Sequence, residues 1–195
     1  NGAWGSFSEF VNANPYYPVT NEDGTIPRDL DVYKRANYAD ITATNPYYNT
    51  MLPSENRSKI LSVTNNTNLN WYIIDNLRWT ASMSLNTTNT DNMNFTDPAH
   101  TKYASSDYTK QGEYSSSKSR SWRYTMNTGI AYALSLNDHN LTFNGRAEIR
   151  STSSNTESFV ATGFPKGVGA IPSFAYSFKE NSTPGYSESI SRGVS

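Results

Sequence analysis

Residues 61–85 read LSVTNNTNLNWYIIDNLRWTASMSL. Leu61, Val63, Leu69, Trp71 and Ile73 occupy odd positions, with Ser62, Thr64, Asn66, Asn68 and Asn70 between them. Asn65 and Thr67 interrupt the apolar series. After Ile74-Asp75-Asn76 the alternation resumes without a fault. Leu77, Trp79, Ala81, Met83 and Leu85 share one face, and Arg78, Thr80, Ser82, Ser84 and Asn86 the other. A period of two collects these residues on strand faces, and no helix face would do so. Asp75-Asn76 supplies the turn chemistry. The stretch is a β-hairpin.

A second hairpin follows the same logic. Trp122, Tyr124, Met126, Ile130, Tyr132, Leu134 and Leu136 alternate with Ser121, Arg123, Thr125, Asn127, Gly129, Ala131, Ala133 and Ser135. Asn137-Asp138-His139-Asn140 forms a short polar turn, and Leu141, Phe143, Ala147 and Ile149 then alternate with Thr142, Asn144, Arg146, Glu148 and Arg150. Leu134 is expected to face Phe143 across the ladder, with Tyr132 covering the bare backbone at Gly145.

Composition narrows the class. The 195 residues carry 16 Lys plus Arg against 17 Asp plus Glu, a net charge of −1, so there is no basic nucleic-acid footprint. Cysteine is absent and only His100 and His139 are available for histidine chemistry, which leaves no thiol nucleophile and no Cys-ligated metal. Fourteen Tyr, 8 Phe and 4 Trp in a chain of almost zero net charge argue against disorder. Strand formers beside Asn, Gly and Asp point to an all-β protein.

Alternation alone does not say which solvent meets the apolar face. In a soluble sandwich that face is the core; in a transmembrane barrel it meets lipid and the polar face lines the lumen. Three features favour the barrel. The strands exceed the usual globular ~5–6 residues and reach the roughly 9–11 needed to cross a bilayer. The connections are unequal, short at 74–76 and 137–140 but long elsewhere, as in a barrel with short periplasmic turns and long extracellular loops. Trp71 and Trp79 each lie four residues from Asp75 on the apolar face, where an interfacial aromatic girdle belongs. Trp122 and Tyr124 would form the opposite girdle. The expected architecture is therefore an antiparallel meander of long strands, part of a transmembrane β-barrel. Strands are expected near 59–73, 77–90, 120–136 and 141–153, and external loops at 1–58, 91–119 and 154–189.

On the polar face Arg78, Arg123, Arg146, Glu148 and Arg150 would line the lumen, the last three in one row of alternating charge. Glu148 has no partner acid in view for catalysis, and the chain reads as a non-enzyme. In the long segments Asn14-Pro15-Tyr16-Tyr17 and Asn45-Pro46-Tyr47-Tyr48 put tyrosine pairs beside amides. Tyr16, Tyr17, Tyr47 and Tyr48 are the candidate ligand or partner contacts, because aromatic platforms beside amides suit a sugar. The competing reading is that Pro46 and the rings only shape the loop. Asn21-Glu22-Asp23-Gly24 reads as a turn closed by Pro27. Asp91-Asn92-Met93-Asn94 with Asp97 could offer oxygens to calcium but lacks a full binding-loop pattern, so no metal or other cofactor is expected. Gly163-Phe164-Pro165-Lys166-Gly167-Val168-Gly169 does not fit a phosphate loop and reads as a mobile external loop. His100 and His139 read as solvated.

The order of these elements is familiar. Gly5-Ser6-Phe7, Asn14-Pro15-Tyr16-Tyr17, Asn21-Glu22-Asp23-Gly24, Asn45-Pro46, and Arg57-Ser58 leading into a long strand resemble a stretch of the SusC/RagA-like TonB-dependent outer-membrane transporters of Bacteroidetes. So do Asn70-Trp71 with Ile74-Asp75-Asn76-Leu77, and His139-Asn140-Leu141 opening the fourth strand. The resemblance covers nearly the whole chain. It implies a segment of a large plugged barrel in the outer membrane, surrounded by its lipid. It also implies glycan or peptide import with a SusD-like lipoprotein, and coupling to TonB through an N-terminal region outside this chain. Four long strands cannot close a barrel, so the chain is expected to be a piece of a longer protein, with a further strand beginning near Ile190. The alternatives are a soluble β-sandwich that binds carbohydrate, or a surface adhesin module.

Overall fold

The computed structural model describes residues 16–34, 36 and 41–195. The chain is all-β. β1 (Asp29–Tyr33) and β2 (Ile41–Thr44) form a small antiparallel pair. The main sheet is an open antiparallel meander of β3 (Glu55–Ile74), β4 (Leu77–Thr96), β5 (Glu113–Leu136) and β6 (His139–Thr162). Beyond β6 lie β7 (Ser177–Phe178) and β8 (Gly185–Val194), both paired with β6. The four long strands run 20, 20, 24 and 24 residues, each continuing past its alternating apolar segment into the long connections. Apart from Met93 and Phe95, those extensions are largely polar on both faces, so their period-two contrast is weak, yet backbone pairing holds them as strands.

The chain divides into two compact units. The wall unit comprises Lys59–Asp91, Ser117–Glu157 and Tyr186–Ser195; the loop unit comprises Asn1–Ser58, Asn92–Ser116 and Ser158–Gly185. Short turns at 75–76 and 137–138 join the wall strands, and Asn137 takes a positive φ of 49° in the second.

Polar side chains on one face of the wall fix its register. Ser84 Oγ donates to Asn66 Oδ1 (2.7 Å), Asn86 Nδ2 to Thr64 Oγ1 (2.7 Å), and Ser62 lies 3.2 Å from Thr88, all in one constant β3–β4 register. Ser135 with Asn140 (2.8 Å), Arg123 with Thr152 (3.2 Å) and Ser119 with Thr156 (3.1 Å) do the same for β5–β6. That register sets Tyr132 opposite Phe143 and Leu134 opposite Leu141. Gly145 therefore meets Ile130, whose Cγ2 lies 3.3 Å from where a Cβ would stand, rather than Tyr132. The expected Leu134–Phe143 pairing is off by one step along the apolar face.

The loop unit holds the packed core. Met93, Phe95, Ala161 and Phe164 are buried together, with Tyr114, Phe159, Ala170 and Ala175 packed around them. Phe95 meets Phe164 edge-on at 5.4 Å, and Tyr114 stacks on Phe159 at 5.9 Å. Phe164 belongs to the segment expected to be a mobile loop, and it is instead a core residue. Gly163 makes that packing possible: at φ +79°, a Cβ there would lie 2.5 Å from the Thr109 carbonyl oxygen and 2.6 Å from Tyr176 Cβ.

Candidate functional site

Among the described residues nothing packs on the apolar face of the wall. Leu61 is 61% exposed, Phe143 59% and Met83 42%, and Val63, Leu69, Ile73, Met126, Ile130 and Ile149 are exposed as well. At the short-turn end Trp71 and Trp79 meet edge-on at 6.2 Å, and the Trp79 indole N–H donates to Thr128 Oγ1 at 2.8 Å. Trp122 and Tyr124 stack at 5.7 Å. The bonds from Thr80 Oγ1 to Gly129 O and from Ala133 N to Asn76 O share one β4–β5 register. It sets Trp122 across from Thr87, eight residues beyond Trp79. At ~3.3 Å per residue the two aromatic rows stand about 26 Å apart along the strand. A barrel-like tilt would reduce this to about 20 Å of height, against an apolar band of about 25 Å in outer-membrane barrels.

The opposite face carries the charges. Glu148 Oε1 accepts from Arg150 Nη2 at 2.8 Å, and its other oxygen lies 3.8 Å from Arg146 Nη2. Arg146 also donates to Asn127 Oδ1 (3.3 Å), and Arg123 Nε to Thr152 Oγ1 (3.2 Å). Arg78 and Arg146 border a trough of about 460 Å³ with Asn68, Asn70, Thr80 and Asn127. All five sequence-predicted charges thus share one face, four guanidiniums against one carboxylate. The arrangement gives this face a net positive charge, which suits electrostatic attraction of anions.

The tyrosine pairs lie in the loop unit, and of the first only Tyr16 and Tyr17 fall among the described residues; Asn14, Pro15 and Gly5-Ser6-Phe7 lie outside them. Tyr16 is 92% exposed, whereas Tyr17 Oη donates to Asp31 Oδ2 at 3.0 Å. Tyr47 is exposed and Tyr48 half-buried. The amides beside them are committed elsewhere. Asn45 is fully buried; its Nδ2 donates to the carbonyls of Val19 (3.0 Å) and Pro27 (2.9 Å), and its Oδ1 accepts from Tyr47 N (3.0 Å). Asn49 is buried too and exchanges two hydrogen bonds with Thr101, from Nδ2 to Oγ1 at 2.8 Å and from the Thr101 N–H to Oδ1 at 3.0 Å. Both amides fasten the loop and are wholly buried, so a platform at Tyr47 and Tyr48 would be made of the rings.

Other candidates resolve structurally. The expected turn at Asn21–Gly24 is present, closed by Gly24 N to Asn21 O (2.9 Å), and hydrogen bonds from Thr25 hold the Asp23 carboxyl below its usual range. Asp91–Asn94 lie within β4, so they leave it on alternating faces, and Asp97 Oδ1 is taken by Ala99 N at 2.7 Å. His100, expected to be solvated, is buried: its Nδ1 accepts from Lys102 N (3.1 Å), capping a short helical turn, and its ring lies edge-on to Tyr103. Among the described residues no three His, Cys, Asp or Glu side chains gather as metal ligands, and no helix is long and apolar enough to cross a membrane.

Solved structures share this fold. A chain of the RagAB peptide importer in its closed-closed state superposes with a TM-score of 0.61 at 18% identity over 92% of this chain. Chains of the RagAB peptide transporter and of the importer in its open-open state give 0.60 at 19% and 0.58 at 18%. This chain spans 19% of the length of each. No family model and no curated protein matches the sequence.

Proposed function

We propose that this chain forms part of the wall and external loops of a TonB-dependent β-barrel importer of the outer membrane, acting in nutrient uptake without covalent chemistry. The observation that carries the reading is the uncovered apolar face, bounded by Trp71 with Trp79 and by Trp122 with Tyr124. In a soluble sandwich that face would be the core; here the core lies in the loop unit and the wall presents its Leu, Met and Phe outward. The likeness in fold to a stretch of RagAB chains supports the same reading and favours a peptide among the nutrient classes. On this reading Arg78, Arg123, Arg146, Glu148 and Arg150 line a wetted lumen. A SusD-like lipoprotein would meet the external loops, and TonB would act through another part of the protein.

Membrane extraction of the intact protein tests the wall. It should stay with the membrane in alkaline carbonate and need detergent to become monomeric; a folded monomer in plain buffer would overturn the reading. For the tyrosines, the double variant Tyr47→Ala/Tyr48→Ala should reduce peptide uptake or lipoprotein docking while the barrel assembles normally. Normal transport by the assembled variant would show that these rings are not a platform, and failure to assemble would assign them to packing.

A further inference from the structure

Just past the Trp122 row the apolar face of the wall becomes cationic. Lys118 and Arg120 lie four and two residues before Trp122 and leave β5 on its side; Lys59 lies two before Leu61 and leaves β3 on the same face. In the registers given above, Asp91 stands between Lys59 and Lys118, and Asn89 stands beside Arg120. These five border a trough of about 570 Å³. Three cations there meet two carboxylates, Asp91 in the trough and Glu157 at its β6 side. Among the described residues none of the three cations makes an ion pair, and neither does Glu157, which faces Lys118 across β6.

Depth gives the cluster its meaning. At ~3.3 Å per residue, Arg120 and Lys118 sit about 7 and 13 Å along the strand from the indole, at the level where headgroups succeed acyl chains. The aliphatic stems can lie along Leu61 and Trp122 while the charged ends reach outward. Exposed charges in water pair weakly and gain little, but cations at headgroup depth meet lipid phosphates, each attracted by about a kcal/mol's worth of binding, or roughly fivefold. A guanidinium fork beside two ammonium groups also matches the several acceptor oxygens of a phosphate.

We propose that Lys59, Lys118 and Arg120 form a site for the phosphate of a membrane lipid headgroup on the outside of the wall, with Asn89 as a neutral donor and Asp91 tempering its charge. The proposal rests on the membrane reading of the wall. It concerns this exposed trough and not the charged face with Arg146 and Arg150.

The test uses the intact protein in detergent, with native mass spectrometry counting bound bisphosphorylated lipid A against lipid A stripped of both phosphates. The parent should retain the phosphorylated form preferentially. The variant Lys59→Gln/Lys118→Gln/Arg120→Gln should lose about fivefold in retention per cation removed, whereas Asp91→Asn should retain more than the parent. Heat-modifiable gel migration checks that each variant is a folded barrel; should the triple variant fail to assemble, Asp91→Asn decides, and no gain in retention overturns the site. Equal retention of both lipids, or displacement of the lipid by millimolar inorganic phosphate, overturns a lipid source. Binding of an acidic protein partner that the triple variant abolishes, with lipid retention unchanged, would assign the cluster to that partner and overturn it too. Release of the parent by alkaline carbonate would bring down the membrane reading itself, whereas a membrane-embedded parent with unchanged variants brings down only this site.

Discussion

The wall unit and the loop unit use the same residue types in opposite ways. In the wall, Leu61 and Phe143 are more than half exposed; in the loop unit, Phe95 is fully buried and Phe164 4% exposed. Met93 and Phe95 stand on the same face of β4 as Met83 and Leu85, since all are odd positions of one strand. A single strand face thus passes from uncovered to buried within ten residues. Burial follows from removing apolar area from water; the loop unit achieves it with its own residues, whereas the wall leaves its apolar face open, and on the function proposed above lipid is what meets it.

The largest expected effect removes the best-buried ring. Phe95→Ala deletes the edge-on contact with Phe164 and leaves a cavity among Met93, Ala161 and Phe164, costing about 3–5 kcal/mol in the loop unit. Proteolysis of the intact protein should then cut in 92–116 and 158–185, while the heat-modifiable behaviour of the barrel persists. Loss of the barrel together with the loops would show that the two units do not differ in what sustains them.

The wall should answer to a different substitution. Met83→Arg, on the apolar face at mid-height between the aromatic rows, should cost about 2–4 kcal/mol in the membrane. Ser84→Arg should cost much less, because Ser84 faces the polar side, where its hydroxyl meets Asn66. Denaturant unfolding in lipid vesicles measures both, and equal tolerance would contradict the facing. A polar substitution in the loop unit comes next. Asn49→Ala leaves the Thr101 N–H and Oγ1 without their partner and should cost about 1–3 kcal/mol, read as faster hydrogen exchange around residues 45–52 and 97–104.

What was legible follows the same division. Period-two alternation over 61–85 and 122–149 located the hairpins, the two aromatic rows and the charged row of Arg146, Glu148 and Arg150, because a strand face needs only local sequence to be seen. The extensions to Glu55, Thr96, Glu113 and Thr162 were not legible, since mostly polar and charged residues on both faces weaken the contrast and the Met93–Phe95 pair is too short a run to extend it, while backbone pairing continues. The buried roles of Asn45, Asn49 and His100 depend on partners up to 52 residues away, and a polar residue gives no local sign that its bonds are satisfied inside. Phe164 sat among glycines, and only the positive φ at Gly163 shows why that segment packs. The cations Lys59, Lys118 and Arg120 were in plain sight: each lies in the register of Leu61 or Trp122, and following the alternation past its last apolar residue would have put them on one face.

The smallest effect sharpens the comparison from the loop side. Tyr103 is buried with its Oη making no hydrogen bond among the described residues, while the Lys102 ammonium lies 4.7 Å from its ring centre. Burial, aided by the Glu113 carboxylate, pushes its phenol well above the ordinary tyrosine value. Tyrosine in the unfolded chain ionises near ~10, so above that pH the unfolded loop unit releases a proton that the folded one retains. Stability is intact below pH 10 and falls as pH rises beyond it, because the unfolded state then binds fewer protons than the native state. Tyr103→Phe removes both the unpartnered hydroxyl and this slope. At neutral pH it should change stability by less than about 1 kcal/mol, and between pH 10 and 11 the variant should outlast the parent in hydrogen exchange at residues 97–104. A parent and variant with parallel pH profiles would mean that the Tyr103 phenol is not withheld from water, and that this part of the loop unit is as open as the wall.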